Sequence, residues 1–107
     1  MNNLDEEYLA NRELIVKRIE MGDHTQVPRD VDHFAVFRNK NTAADAATEL
    51  RARGYSVSID RKGLKSMLIA TSESTTDLET INQCLAGIVA IVTRYGGDYD
   101  GWGAPLS

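Results

Sequence analysis

The order in which helix-like and strand-like patterns alternate constrains the fold of this chain more than any single motif. Three stretches have the apolar spacing of one helix face, and the stretches between them are rich in the β-branched and aromatic residues that favour strands. The patterns predict helices over 5–21, 42–53 and 76–95, and strands over 31–37, 55–60, 67–71 and 98–102. Residues 61–63 are expected to form a hairpin turn, and residues 23–30 and 72–75 to form loops.

After the first helix, the order is strand, helix, strand, strand, helix, strand. This is the order of the ferredoxin-like split motif, in which an antiparallel four-stranded sheet carries both helices on one face. The strand over 31–37 has apolar residues at both odd and even positions, and therefore on both faces, which predicts a central position in the sheet. We therefore predict an α+β, ferredoxin-like βαββαβ sandwich with an extra N-terminal helix.

Both sheet-packing helices carry signals for their first turns. Thr42 followed by Asp45 resembles a capping box with Asp in place of Glu, and Thr76 followed by Glu79 matches the box itself. The last helix has the strongest periodicity of the chain, in the stripe Leu78, Ile81, Leu85, Ile88, Val92 and Tyr95.

Residues 84–92 of the last helix carry no charge on any side. A helix that covers one face of a sheet normally has a polar outer stripe, so this stretch requires a second cover. Either the N-terminal helix or another chain provides it, and we favour the N-terminal helix. The stripe predicted for that helix consists of Tyr8, Ile15 and Ile19, with Leu9 and Val16 beside it.

A length of 107 residues corresponds to one domain, which we assign to residues 1–107. No apolar run approaches the roughly 20 residues of a membrane span, and the acidic first seven residues do not resemble a signal peptide. The single cysteine, Cys84, has no partner for an internal disulfide. These features predict a cytoplasmic protein that does not associate with membranes.

Charge is distributed unevenly along the chain, whose formal net charge is −4. Residues 1–37 and 66–107 each carry a net charge of −4, whereas residues 38–65 carry +4. This basic block is either an ordinary solvated surface or a docking patch for an acidic partner segment or RNA. Its two groups are Arg51 and Arg53 at the end of a helix, and Arg61, Lys62 and Lys65 around the hairpin turn.

The C-terminal run from Tyr99 to Gly103 contains the only Trp, with Gly on both sides. We expect Trp102 to be buried against the sheet or a helix and to stabilise the fold. Asp98 and Asp100 should point the same way on a regular strand. With His33 on the neighbouring strand, they are expected to form a polar cluster at one sheet edge or to remain a solvated pair.

Signals for catalysis, metal binding and phosphate binding are weak. Asp32 and His33 are strand neighbours, so their side chains point to opposite faces and do not form a dyad. Cys84 lies in an apolar helical stretch, which is typical of a packing thiol. A metal site of His33, Asp98 and Asp100 is conceivable but not favoured. The strands lack the aromatic signature of RNA-binding folds with this topology, which disfavours direct base stacking.

The chain resembles the regulator of ribonuclease activity B family. The most specific match is the motif Asp98 to Gly103, and it is supported by Pro28 to Phe34, by Gly54-Tyr55 and by the capped last helix. The resemblance implies a ferredoxin-like domain that acts as a non-catalytic protein inhibitor. The founding member binds endoribonuclease E and changes the set of transcripts that the enzyme degrades. Unlike that member, this chain carries no long acidic tail after the motif.

Two functions follow from these observations. The first is a protein-binding regulator of RNA turnover, acting on endoribonuclease E as a monomer or homodimer, without enzymatic activity, cofactor or direct nucleic-acid contact. The second is a small dimeric module that senses a ligand. The candidate partner-binding residues are His33, Arg61, Lys62, Lys65, Asp98, Asp100 and Trp102.

Overall fold

The structure is a computed structural model that describes residues 3–107, so the first two residues of the acidic N-terminal segment lie outside it. Its helices are α1 (Leu4–Glu20), α2 (Lys40–Ala52) and α3 (Leu78–Arg94). Its strands are β1 (Arg29–Phe37), β2 (Ser56–Lys62), β3 (Lys65–Ser74) and β4 (Asp98–Gly103). No helix within residues 3–107 has the length and apolarity that crossing a membrane requires.

The four strands form one antiparallel sheet in the order β2-β3-β1-β4, as the ferredoxin-like prediction requires. β1 lies between β3 and β4, which confirms its predicted central position. Alternate residues of β1, including Ala35 and Phe37, are buried beneath α2 and α3, while Phe34 and Val36 lie on the open face of the sheet. Ala43, Ala46, Ala47 and Leu50 of α2 are fully buried, and the three small alanine side chains let the helix lie close to the sheet.

Tertiary pairing extends two strands beyond the predicted bounds. β1 begins at Arg29, inside the predicted loop, and β3 continues to Ser74, so the loop predicted over 72–75 is wrong for most of its length. The reason is mutual pairing, because Arg29 lies opposite Ser74. The hairpin turn also begins two residues later than predicted and ends one residue later. Lys62 pairs with Lys65, so the turn residues are Gly63, at φ +62°, and Leu64.

The helix caps differ from the predicted capping boxes. α2 begins after Asn39, whose side chain accepts a hydrogen bond from the Thr42 amide at 2.9 Å. α3 begins after Asp77, whose side chain accepts from the Thr80 amide at 3.2 Å. The capping oxygen is therefore the Asn39 amide oxygen in α2 and the Asp77 carboxylate oxygen in α3, and not a Thr hydroxyl. The cap lies three residues before the predicted one in α2 and one residue after it in α3.

α1 packs against α3, but it covers only part of the uncharged stretch: Cys84 and Gly87 line an open hollow and Ala90 is exposed. Leu4 and Tyr8 contact the main core, and Asn11 donates a hydrogen bond from Nδ2 to Asn82 Oδ1 at 2.9 Å. The predicted apolar stripe of α1 is wrong in part. Its buried residues are Asn11, Ile15 and Arg18, whereas Leu9, Val16 and Ile19 are exposed.

Candidate functional site

A β-bulge in β4 determines where the C-terminal motif directs its side chains. Tyr99 lies opposite Ala35, but the next paired residue is Gly101, opposite Phe34, so Asp100 is an extra residue. Gly101 has φ +107°, a conformation that side-chain-bearing residues rarely adopt. Side chains of a strand alternate between the two faces of the sheet, and the extra residue shifts this alternation by one position. Tyr99 and Trp102 therefore both face the helices.

Trp102 packs against α1 and α3 but is only partly buried, so the burial expected for it is found in part. Its ring lies against the cluster of Ile15, Val31 and Ile81, and Arg18 Cζ is 5.4 Å from the ring centroid. Its Nε1 donates a hydrogen bond to Asn11 Oδ1 at 2.9 Å. The ring therefore links β4 to α1 through packing, a cation–π contact and a hydrogen bond.

The predicted cluster of His33, Asp98 and Asp100 does not form. His33 is only 1% exposed and faces the helices, where its Nδ1 lies 2.9 Å from Tyr99 Oη. Asp98 lies opposite Val36, a residue of the open sheet face. Within residues 3–107, no group of three or more His, Cys, Asp or Glu side chains is placed to hold a metal ion.

Burial of His33 makes its titration a stability determinant. Burial lowers the pKa of His33 from 6.5 to about 4, against the opposing effect of the nearby Asp32 carboxylate. The unfolded chain therefore binds the proton more readily than the folded chain between these two values. The stability contributed by neutral His33 is fully present above pH 6.5 and is lost as the pH falls towards 4.

We expect the free energy of unfolding to fall by about 2 kcal/mol between about pH 7.5 and pH 5 because of this group. Urea titrations at several pH values measure the change. In His33→Gln the free energy of unfolding should depend much less on pH over this range, even if the variant is less stable at every pH. His24→Gln, which replaces an exposed histidine, is the matched control and should keep it. An unchanged slope in His33→Gln would show that the pKa of His33 is not lowered in the folded protein.

The structure brings two of the candidate residues together across the sheet. Lys62 Nζ, next to the hairpin turn, lies 3.4 Å from Asp100 Oδ2 in the bulge of β4. Both side chains are about half exposed, so water screens the pair and its contribution to stability is small. Its effect is to hold a basic side chain of the hairpin near the C-terminal motif.

Five of the seven basic residues of the block at 38–65 lie at one end of the molecule, where β1 ends and the β2–β3 hairpin turns. We call this surface the basic tip; its residues are Arg38, Lys40, Arg61, Lys62 and Lys65. Arg38, Lys40 and Arg61 line a hollow of about 570 Å³, together with the exposed Leu64. Asp60 adds an acidic side chain to the lining of this hollow.

The two remaining basic residues of the block do not join the basic tip. Arg51 donates a hydrogen bond from Nη2 to the Val57 carbonyl at 2.9 Å, at the far end of α2. Arg53 lies 3.9 Å from Glu49, which also binds Arg94. The basic block therefore divides into two surfaces. The sequence alone does not show whether its two groups of residues meet in space.

Sequence reasoning missed a buried ionic cluster around Asp23, which it placed in a loop. The Asp23 carboxylate accepts hydrogen bonds from Arg18 Nε at 3.4 Å and from Arg29 Nη1. It also accepts from Thr76 Oγ1 at 3.3 Å and from the Ser107 amide at 2.8 Å. No periodicity signals this cluster, because its members come from four separate segments.

The cluster fixes the C-terminal segment against α1. Arg18 donates from Nη1 to the Ala104 carbonyl and from Nη2 to the Pro105 carbonyl, each at 3.0 Å. Burial tends to raise the pKa of Asp23, but the Ser107 amide and the Arg29 and Arg18 guanidiniums outweigh it and lower the pKa to about 2. Asp23 is therefore ionised at neutral pH and compensates two buried cations.

Similarity to known proteins covers nearly the whole of this fold. Residues 9–104 match the family regulator of ribonuclease activity B, a range that includes most of α1, the sheet and the bulged motif. A protein of Aeromonas hydrophila named regulator of ribonuclease activity B is 28% identical over 88 residues, covering 77% of this chain and 76% of that protein. A protein of Aeromonas salmonicida with the same name has the same identity and coverage. The chain therefore belongs to the regulator of ribonuclease activity B family.

Proposed function

We propose that this protein regulates RNA turnover by binding a ribonuclease, and that it does so without catalysing a reaction itself. The observation that carries the proposal is the family match over residues 9–104. The two Aeromonas relatives, both named regulator of ribonuclease activity B, support it. The target that we propose is endoribonuclease E, the partner implied by the resemblance of the C-terminal motif.

We further propose that the basic tip is the first surface to meet the ribonuclease. Its five cations lie together on a protein whose formal net charge is −4, so they attract an acidic segment while the rest of the surface repels it. Asp100 contributes by holding Lys62 at the tip, and Asp98 lies on the neighbouring open sheet face. Trp102 and His33 contribute indirectly, because their packing fixes β4.

The proposal is tested by measuring RNA cleavage by purified endoribonuclease E at increasing concentrations of this protein. We expect cleavage of at least some transcripts to slow, and immobilised protein to retain the ribonuclease. The control is Trp102→Ala, which should lose the effect only to the extent that it unfolds. Unchanged cleavage of every transcript tested, together with no retention, would contradict the proposed target.

Replacing Arg61, Lys62 and Lys65 with Ser should slow association with the ribonuclease by about tenfold at low salt. The dissociation rate should change less, because exposed charges mainly steer encounter and apolar contacts retain the complex. Surface-based binding kinetics at two salt concentrations measure both rates. The slope of association rate against salt should also become shallower.

The matched control for this variant replaces Arg51, Arg53 and Arg94 with Ser, which removes the same charge around the C-terminal ends of α2 and α3. All three are exposed, so neither variant should unfold at assay temperature. An equal loss of association rate in both variants would mean that the net charge of the protein, and not the position of the charges, determines the association rate. An unaltered rate and salt slope in the first variant would exclude the basic tip from binding.

A further inference from the structure

α1 has polar residues beside Ile15 on its buried side and large apolar residues among those that are exposed. Its buried face contains Asn11 and Arg18, whereas Leu9, Val16 and Ile19 are 58%, 49% and 53% exposed. Of the eight large apolar side chains exposed within residues 3–107, five belong to α1 or to its C-cap. Isolated exposed apolar residues are ordinary in soluble proteins, so what matters is which of these five share one side of the helix.

Val16 lies near the middle of one exposed surface of α1 and Leu9 near one end of that surface. They are seven residues apart, so they lie on one line along the helix, as the residues of a helix–helix seam do. A groove of about 520 Å³ follows this line, and charged residues flank it: Arg12, Glu13, Lys17 and Glu20. We call Leu9, Val16 and these four residues the α1 stripe.

We propose that the α1 stripe is the interface of a homodimer, in which two copies of α1 pack antiparallel about a two-fold axis. Glu13 and Lys17 are one helical turn apart on the same side of the stripe. An axis near residue 15 sets Glu13 of each copy opposite Lys17 of the other, and the two Val16 side chains meet at the centre. The same surface is therefore its own complement, which a two-fold interface requires.

In a parallel pair, each side of the stripe would face the opposite side of the partner's stripe, so Glu13 and Lys17 would not meet; only the antiparallel arrangement forms both contacts. A single pair of helices buries less surface than a standard stable interface. We therefore expect a dimer that dissociates on dilution, with a dissociation constant in the micromolar to millimolar range. The α1 stripe and the basic tip are separate surfaces, so the inference does not depend on the proposed ribonuclease.

Sedimentation velocity of the full chain, from about 1 μM to about 1 mM, should show a monomer that becomes a dimer. The double variant Leu9→Gln, Val16→Gln should remain monomeric over this range. Its matched control, Leu64→Gln with Leu106→Gln, replaces two exposed leucines elsewhere and should dimerise normally. Thermal melting should confirm that both double variants fold, because the replaced side chains are exposed.

A charge exchange tests the antiparallel pairing itself. Glu13→Lys alone and Lys17→Glu alone should each weaken self-association by about tenfold, because each sets like charges opposite one another twice. Mixing the two single variants should restore association, since one then carries only basic side chains at these two positions and the other only acidic ones. A purely structural effect of either substitution on α1 would not be repaired by mixing.

Three outcomes would overturn the proposal. One is a wild-type chain that remains monomeric throughout the concentration range. Another is a dimer that persists in the Leu9, Val16 double variant, because the interface would then lie elsewhere. The third is a monomeric chain in which the same double variant loses ribonuclease binding, which would assign the α1 stripe to the enzyme instead of to a second copy.

Discussion

Asp23→Asn is expected to lower the free energy of unfolding by about 3 to 5 kcal/mol, the largest effect that we predict for a single substitution. Asparagine fills nearly the same volume, so packing is preserved while the negative charge is lost. Arg18 and Arg29 are then left as buried cations without their counter-ion. An uncompensated buried charge is costly because the surrounding protein replaces its hydration poorly.

Thermal melting and urea titration at pH 7 measure this loss, which should lower the melting temperature by well over 10 °C in a domain of this size. Asp30→Asn is the matched control, since Asp30 is exposed and should change stability by less than about 0.5 kcal/mol. The folded pKa of about 2 lies below the usual value of 3.8, so the stabilising effect of Asp23 should disappear between these values as the pH falls. A variant as stable as the wild type would mean that water, and not Asp23, satisfies the two arginines.

Trp102→Ala is expected to lower the free energy of unfolding by about 3 kcal/mol. The substitution removes the ring that packs on Ile15 and Ile81, and it removes the surface over which Arg18 lies. It also leaves Asn11 Oδ1 without the hydrogen bond from the indole, in a residue that is 3% exposed. Packing loss and an unsatisfied buried acceptor therefore act together.

Trp102→Phe separates these two contributions. Phenylalanine retains most of the packing and the contact with Arg18, but it cannot donate to Asn11, so we expect a loss of about 1 to 2 kcal/mol. Thermal melting of the two variants in parallel gives the difference. A Trp102→Ala variant that melts like the wild type but no longer binds its partner would reassign Trp102 from the fold to the interface.

The sequence predicted the order and type of every element because each has a strong local period or a clear turn signal. The stripe of α3 is one example, and its buried residues Ile81, Leu85, Ile88 and Val92 belong to that stripe. Strand ends were predicted less well, because the length of β3 is determined by pairing with β1, which is a distant segment. Pairing of this kind leaves little trace in the composition of either strand alone.

The stripe of α1 and the cluster around Asp23 were not predictable from local pattern. Asn11 and Arg18 are polar, so periodicity assigns them to the surface. Their burial depends on partners supplied from far away in the chain, among them Asn82 and Trp102. Among the candidate site residues, His33 was expected near Asp98 and Asp100 because the sequence does not show the register of β4 on β1. In the structure Asp98 lies opposite Val36 on the open face, whereas His33 faces the helices.

The bulge has a further consequence for how the protein behaves when it is concentrated. β2 and β4 are the two outer strands of the sheet, and an outer strand with unbroken pairing geometry is a template for strands of other molecules. In β4 the extra residue interrupts the repeat after Tyr99, and Asp98 and Asp100 place carboxylates along the same short strand. β2 ends in the charged residues Asp60, Arg61 and Lys62. Both outer strands are therefore poor starting points for amyloid-like growth, and the glycine that permits the bulge helps to keep the protein in solution.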